Sequence, residues 1–309
     1  MTISGNGTIG ESLAQATKLL LAENGFTSPR LDCEVLLGHV LHCSRIDLVL
    51  NREKRLSNEE QNTFAAMVKR RLNHEPVSYI TQSKEFMSLD FFVEQGVLIP
   101  RPETEMLVEF IIKTYETADN VSILDLCTGS GAIAVSLAYY LKNARLTAVD
   151  KFDVCINAAL KNAARYALSE RISVIQTDIL NGLHADQKHH CIVSNPPYIK
   201  NADLSSLPID VKNFEPEYAL NGGGDGLEFY RIITAFAAEN LFSNGKLVFE
   251  IGFDQGGAVK KIIEENSAFH SITITKDFAG LDRMVTAVKG NEAYGKKLCP
   301  SGIKTAKHY

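Results

Sequence analysis

The segment Asp125-Leu126-Cys127-Thr128-Gly129-Ser130-Gly131 closes one apolar run and opens another, AIAVSLAYYL. A glycine-rich turn between a strand and a helix lets a ligand approach bare backbone, with the free amides of the helix N-terminus as donors. Asp150, 19 residues past Gly131, ends the next apolar run, where a carboxylate can accept from a ribose diol. Thr177-Asp178-Ile179 ends a third, and there Asp178 can accept from an adenine amino group while Ile179 covers the ring. Singly, the first is also a plain tight turn and Asp178 also a turn former. Together they make three contacts to one nucleoside at the C-terminal edge of a sheet. Nicotinamide, flavin and S-adenosylmethionine sites share this arrangement, which leaves the cofactor open. Cys127 stands where the common D-x-G-x-G-x-G form has its first glycine. Its side chain is tolerable there if the backbone stays out of the left-handed region.

Asn195-Pro196-Pro197-Tyr198 follows the apolar CIVS and narrows the chemistry. Two consecutive prolines stiffen the loop and lack N–H groups, so the Asn195 side-chain oxygen and the Pro196 carbonyl are fixed acceptors. Together they can grip both hydrogens of a planar NH2 group, with Tyr198 stacked on its face. An amide nitrogen is delocalised into its carbonyl and attacks poorly. Two acceptors localise charge on it and aim its lone pair at a sulfonium methyl, without a nucleophilic side chain or a metal.

The elements that must carry these residues alternate. Apolar strands are expected at 121–126, 145–150, 172–176, 190–194, 246–251, 271–275 and 283–288, with helices at 131–141, 153–167, 226–241 and 255–266 between the first six. Such alternation implies a mostly parallel sheet covered on both faces. Only KDFAGLD separates the last two strands, too short for a crossover, so they pair antiparallel. Ahead of this lies a helical unit. Helices are expected at 9–24, at 31–42 with Leu31, Val35, Leu36, Val40 and Leu41 as its apolar pattern, and at 58–72. The last has a Ser57/Glu60 capping box and turns Phe64, Met67, Val68 and Leu72 inward. VSYITQSKEF and SLDFFVEQGVLI, rich in β-branched and aromatic residues, suggest a joining hairpin. Pro100 and Pro102 precede a helix at 103–117.

Composition narrows the classes further. The 309 residues are 45% hydrophobic and 22% charged, with a formal charge of −5, as in an ordinary globular protein and unlike a basic duplex binder. Nine basic and nine acidic residues cancel over residues 1–75, and Lys69-Arg70-Arg71 reads as a solvated last helical turn. Cys33, Cys43, Cys127, Cys155, Cys191 and Cys299 form no C-x-x-C pair and read as reduced thiols. No run of 18 apolar residues and no secretory leader is visible, so a cytoplasmic protein with no membrane contact is expected. His184, His189 and His190 lie in a polar connector without matching carboxylate spacing and read as solvent-exposed rather than metal ligands. Glu103 and Glu105 either shape the cofactor pocket or serve as first-turn charges, and Glu250 ends a strand in a supporting role.

Over residues ~10–289 the chain resembles the PrmC/HemK family of peptide chain release factor N5-glutamine methyltransferases. The resemblance rests on Arg30-Leu31-Asp32, Glu75-Pro76-Val77, Lys84-Glu85-Phe86 and the string Leu98-Ile99-Pro100-Arg101-Pro102-Glu103-Thr104-Glu105. Beyond the two motifs above it adds Phe214-Glu215-Pro216, Gly222-Gly223-Gly224-Asp225-Gly226-Leu227, Glu250-Ile251-Gly252 and Asp277-Phe278-Ala279-Gly280-Leu281-Asp282-Arg283. It implies an α/β protein with a seven-stranded class I (Rossmann-like) methyltransferase sheet, an antiparallel last strand, and a small N-terminal helical domain joined by a β-hairpin. The implied domains are a helical release-factor-binding domain (1–75), a hairpin linker (76–100), an S-adenosylmethionine-dependent methyltransferase domain (101–290) and a disordered tail (291–309). It implies that Cys127, Thr128, Gly129, Ser130 and Gly131 wrap the methionine part of S-adenosylmethionine, Asp150 takes the ribose, and Asp178 and Ile179 hold adenine. Asn195 then sits at the junction of cofactor and substrate, and Asn195, Pro196, Pro197 and Tyr198 receive the glutamine of a Gly-Gly-Gln loop, with Asn195, Pro196 and Tyr198 catalytic. The products are N5-methylglutamine and S-adenosylhomocysteine. The partner is a class 1 release factor, with no metal and no stable nucleic acid.

Four other readings compete, of which a redox enzyme, suggested by the glycine-rich turn alone, has no hydride-transfer constellation to support it. A ribosomal-protein glutamine methyltransferase uses the same loop, but the string RPETE argues against it. Adenine-N6 methylation of DNA or RNA uses the same two-acceptor grip, but the acidic charge argues against it. A release-factor-binding protein with a vestigial nucleoside pocket is disfavoured by the intact N-P-P-Y.

Overall fold

A computed structural model describes residues 7–182 and 187–291. The chain divides into two units, one of Met1–Lys84, Phe92–Ile99 and Ser205–Pro216, the other of Glu85–Phe91, Pro100–Leu204 and Glu217–Tyr309. The expected tail falls almost entirely outside the described residues.

The N-terminal segment of the first unit carries α1 (Ile9–Leu21), α2 (Pro29–Leu41), α3 (Arg45–Leu50), α4 (Asn58–Leu72) and α5 (Val77–Thr81). Capping boxes at Thr8, Ser44 and Ser57 start α1, α3 and α4 by satisfying free N-terminal amides. Leu20, Leu36, Leu37, Phe64 and Val68 form its core. Leu31 and Val35, expected inward on α2, are 40% and 36% exposed, because α2 buries its Cys33, Leu36 and Leu37 face instead. Val77–Thr81 is helical rather than extended. Pro76 opens that turn, its carbonyl accepting from the Tyr79 and Ile80 amides, and Tyr79, Ile80 and Thr81 are buried. Tyr79, Val93 and Ile99 form a small cluster on which Phe214 packs, while Glu215 Oε2 accepts from the Ile99 amide at 3.3 Å. That explains Phe214-Glu215-Pro216: this remote segment completes the N-terminal unit.

Strands β1 (Ser83–Phe86) and β2 (Leu89–Phe92) form the hairpin, with Met87 and Ser88 both at positive φ in its two-residue turn. The second unit continues with α6 (Glu105–Tyr115), β3 (Ser122–Leu126), α7 (Ala132–Tyr140), β4 (Arg145–Asp150), α8 (Asp153–Arg165), β5 (Ile172–Gln176) and β6 (His189–Ser194). After α9 (Ile209–Phe214), which lies in the first unit, come α10 (Glu228–Asn240), β7 (Leu241–Glu250), α11 (Gly256–Glu264), β8 (Phe269–Lys276) and β9 (Asp282–Lys289). The seven-stranded sheet has the order β5-β4-β3-β6-β7-β9-β8, with β3 to β7 mutually parallel and β9 antiparallel to both neighbours. Strand residues alternate between two cores. Ile123, Leu146, Ala148, Val193 and Val248 face one, and Leu124, Leu126, Val149, Ile192, Leu247 and Phe249 face the other. In α7, Ala132 to Ala138 are all buried, as a helix without a polar face requires.

Of the Lys69-Arg70-Arg71 cluster, Lys69 and Arg70 are exposed but Arg71 is buried, contrary to a wholly solvated turn. Its Nε donates to Asp32 Oδ2 at 2.8 Å, Nη1 donates to the His74 and Glu75 carbonyls, and its guanidinium lies 4.6 Å from the Phe26 ring centroid. Removing one partner of such a pair strands the other's charge. Arg71→Ala is therefore expected to cost about 3 kcal/mol in urea unfolding monitored on the N-terminal unit.

Candidate active site

All the residues singled out for chemistry lie in the second unit, and all follow or end parallel strands at their C-terminal edge. The register pairs Leu126 with both Val149 and Ser194, and Asp150 with Gln176. Strand order reverses at β3, whose neighbours β4 and β6 carry the chain to opposite sides, which is where open α/β sheets bind ligands. The Ser194 hydroxyl donates to the Leu126 carbonyl at 2.6 Å and fastens the start of the N-P-P-Y loop to the start of the glycine-rich turn.

That turn is tightly wound. Cys127, Gly129 and Gly131 have φ of 61°, 55° and 78°. Cys127 therefore occupies the left-handed region it was expected to avoid, at a cost of about 1–2 kcal/mol relative to glycine. The turn's hydrogen bonds hold it there: the Thr128 amide donates to the Val149 carbonyl at 3.0 Å, and Asn162 Nδ2, fully buried, donates to the Ser130 carbonyl at 2.8 Å. Burial beside Asp150 pushes the Cys127 thiol well above its ordinary value, so it remains protonated and is not a nucleophile. At Gly131 a Cβ would lie 3.1 Å from the Ala159 Cα and the φ is positive, so only glycine lets α7 start this close to α8.

The acids differ. Asp125 is wholly buried, takes the Thr128 hydroxyl at 2.6 Å, and is pushed by burial up to about 7. Asp150, also raised by burial, accepts from the Gly129 amide through Oδ2 at 2.9 Å and from the Phe152 amide through Oδ1 at 3.2 Å. The Lys151 amide and the Cys155 thiol also donate to it, so the carboxylate is held in place by four donors and a diol would share its acceptor sites with them. A Cβ built on Gly129 meets nothing within 4 Å, so the turn borders room for a ligand against its backbone. These features fit a nucleoside cofactor. Asp178 is committed as well. It accepts from Leu180 N, Asn181 Nδ2 and Lys151 Nζ, and the lysine draws its pKa down. Ile179 is 6% exposed and packs into the core with Leu126, Val149 and Tyr230, which leaves little of it to present to a ring. Phe152 and Tyr218 instead stack at 3.6 Å between centroids, with Asp150 close enough to add to the burial that pushes the Tyr218 phenol up to about 12.

The N-P-P-Y loop is braced on its far side. The Ile199 amide donates to the Leu220 carbonyl and the Gly222 amide to the Ile199 carbonyl, both at 2.8 Å. Gln255 Nε2 donates to the Tyr198 and Gly226 carbonyls at 2.9 and 3.1 Å. Pro196 and Pro197 are buried, while Asn195 and Tyr198 are half-buried. On the near side Asn195 Nδ2 donates to Thr104 Oγ1 at 3.2 Å, and the Thr104 hydroxyl donates to Glu250 Oε2 at 2.5 Å. The diproline thus stands between two fixed walls, with Asn195 oriented from behind.

Comparison with known proteins decides the family. The chain is 40% identical over 285 residues to the release factor glutamine methyltransferase of Moorella thermoacetica, covering 92% of this chain and 100% of the relative. It is 40% identical over 260 residues to that of Clostridium acetobutylicum, covering 84% and 91%. The chain belongs to the release factor glutamine methyltransferase family. Residues 11–81 match the PrmC N-terminal domain and residues 102–209 the methyltransferase small domain. A methyltransferase structure from Pyrococcus furiosus shares the fold at 19% identity and a TM-score of 0.50, covering 67% of this chain and 92% of that one.

Several residues of this release factor glutamine methyltransferase family member stand apart from the expectations. His189 and His190 lie on β6 rather than in an exposed connector, and His189 is buried, which draws its pKa down to about 4. Their Nδ1 atoms lie 2.9 Å from Ser122 Oγ and 3.1 Å from the Ser122 amide, joining β6 to the start of β3. His184 lies outside the described residues. Glu105 Oε1 accepts from the Met87 amide at 2.7 Å and so holds the hairpin turn. Thr104, Phe152, Tyr218 and Gln255 were not singled out. Thr104 lies inside the string Pro102-Glu103-Thr104-Glu105, and the other three are neighbours of motifs. A Cβ on Gly222 would meet the Tyr198 Cα at 2.7 Å and the Pro197 carbonyl at 2.8 Å. Gly222→Ala is thus expected to push the loop from its brace, lower the melting temperature and speed hydrogen exchange at the Ile199 amide.

Proposed function

We propose that this protein transfers a methyl group from S-adenosylmethionine to the side-chain amide nitrogen of the glutamine in the Gly-Gly-Gln motif of class 1 peptide chain release factors, giving N5-methylglutamine and S-adenosylhomocysteine. The observation that carries the reading is the position of Asn195-Pro196-Pro197-Tyr198 at the end of β6, directly beside the glycine-rich turn at the end of β3. Cys127 to Gly131 would hold the methionine part, Asp150 the ribose, and Asp178 with Ile179 the adenine edge. Bound there, S-adenosylmethionine supplies an electrophilic methyl on its sulfonium.

This chain's residues supply position and electrostatics. Asn195 Oδ1 and the Pro196 carbonyl accept the two amide hydrogens and draw electron density onto nitrogen. Tyr198 packs against the flat carboxamide and excludes water. With the donor bound, its methyl would pass to the amide nitrogen, the sulfonium leaving as the neutral thioether of S-adenosylhomocysteine, and one amide proton would leave to solvent. Burial keeps the Cys127 thiol and the Tyr198 phenol protonated, so neither competes as an attacking anion. The helical unit would dock the release factor. The proposed site of action is the cytoplasm, where release factors work; no helix among the described residues is long and apolar enough to cross a membrane.

The test is transfer of labelled methyl to a purified release factor and to its Gln→Ala variant in the Gly-Gly-Gln loop. Label that requires the glutamine supports the reading, and label appearing only in nucleic acid overturns it. Asn195→Ala is expected to lower turnover on the order of a hundredfold or more while S-adenosylhomocysteine affinity, read by calorimetry, stays within a few-fold. Undiminished turnover would overturn the amide grip.

A further inference from the structure

We propose that Thr104 and Glu250 form a one-way hydrogen-bond relay that sets which end of the Asn195 carboxamide meets the substrate. The inference rests on the proposed function and adds positioning residues to it.

The argument is a count of hydrogens. Thr104 and Glu250 are buried, 4% and 1% exposed, with no recourse to bulk water. A threonine hydroxyl has one hydrogen and two lone pairs. At 2.5 Å from Glu250 Oε2 that hydrogen is committed to the carboxylate, in the range of charge-assisted O–H···O⁻ bonds. Toward Asn195 the hydroxyl oxygen can then only accept, so the atom facing it at 3.2 Å must be Nδ2. Asn195 Oδ1 is thereby turned away from Thr104 and kept as an acceptor. Without the relay either end of the amide could face Thr104, and the flipped form would offer the substrate amide a donor where it needs an acceptor. The backbone that carries the carboxylate is itself held. The Tyr230 hydroxyl donates to the Glu250 carbonyl at 2.9 Å, and the next residue, Ile251, donates its amide to the Arg283 carbonyl at 2.9 Å.

The direction of the relay depends on Glu250 being an anion. The groups facing it are Arg283 from β9, Arg101 and Glu103 ahead of α6, and the phenols of Tyr198 and Tyr230. Burial outweighs the Thr104 hydrogen bond and the two arginines and places its pKa at about 7. Once protonated, Glu250 can donate to Thr104, whose hydrogen is then free to turn to Asn195 Oδ1 and capture the acceptor. Transfer should therefore fall as pH drops through about 7.

The test uses the full chain, labelled S-adenosylmethionine and a release factor. Thr104→Val, nearly isosteric, is expected to lower kcat on the order of a hundredfold with S-adenosylhomocysteine affinity little changed and the melting temperature lowered by the stranded Glu250 carboxylate, and Thr104→Ser to recover most of both losses. In Glu250→Gln the fall of transfer below about pH 7 should flatten, any residual step belonging to Asp125 beside the glycine-rich turn, a readout that loss of packing alone would not move. Wild-type turnover in Thr104→Val, or an unaltered pH profile in Glu250→Gln, overturns the relay while leaving the proposed function standing. Absence of transfer to glutamine by the unaltered protein overturns both.

Discussion

The parallel pairing of β3 with β6 is the constraint on which the site depends. Its register sets Leu126 beside Ser194, and everything chemical begins one residue later on each strand. Because side chains alternate along a strand, a slip of one residue would exchange Ile123 with Leu124 between the two cores. Burial on both faces therefore fixes the register, and the register fixes the separation between a nucleoside-binding turn and an amide-binding loop. The short Ser194 bond to the Leu126 carbonyl pins that separation at its end.

Rigidity on the acceptor side comes from neighbours as well as from the prolines. The diproline fixes φ at two positions, but a stiff segment could still move as a body. The 220–226 loop and Gln255 prevent that through paired backbone bonds and a close approach at Gly222. This explains why a glycine block far along the chain accompanies N-P-P-Y: Gly222 and Gly226 are spacers against the Tyr198 backbone, Gly226 at a positive φ besides, just as Gly131 in the other turn meets both needs.

Much of this was legible from residue order because burial imprints period and length. The strands at 145–150 and 172–176 match to the residue, and the antiparallel end followed from a seven-residue connection too short to cross over. What escaped was decided by contacts between distant segments. Val77–Thr81 carries strand-forming residues but folds as a helical turn because Pro76 and the surrounding core favour one. The left-handed Cys127 is imposed by the geometry of the turn rather than by its own preference. Arg71 is buried because Asp32 and Phe26 meet it from 39 and 45 residues away. Thr104 gains meaning only beside Glu250, 146 positions later, and Tyr218 only beside Phe152.

Phe214 and Glu215 close the Tyr79, Val93 and Ile99 cluster from late in the chain. A ribosome making this protein must therefore translate past Pro216 before that cluster can be sealed, although its other members emerge more than a hundred residues sooner. A fragment cut near residue 100 would carry the helices but expose an apolar face and an unsatisfied amide at Ile99. The autonomous piece at the N-terminus is accordingly larger in sequence than a linear boundary suggests, and excising it intact calls for grafting back a segment from the other side of the nucleoside motifs.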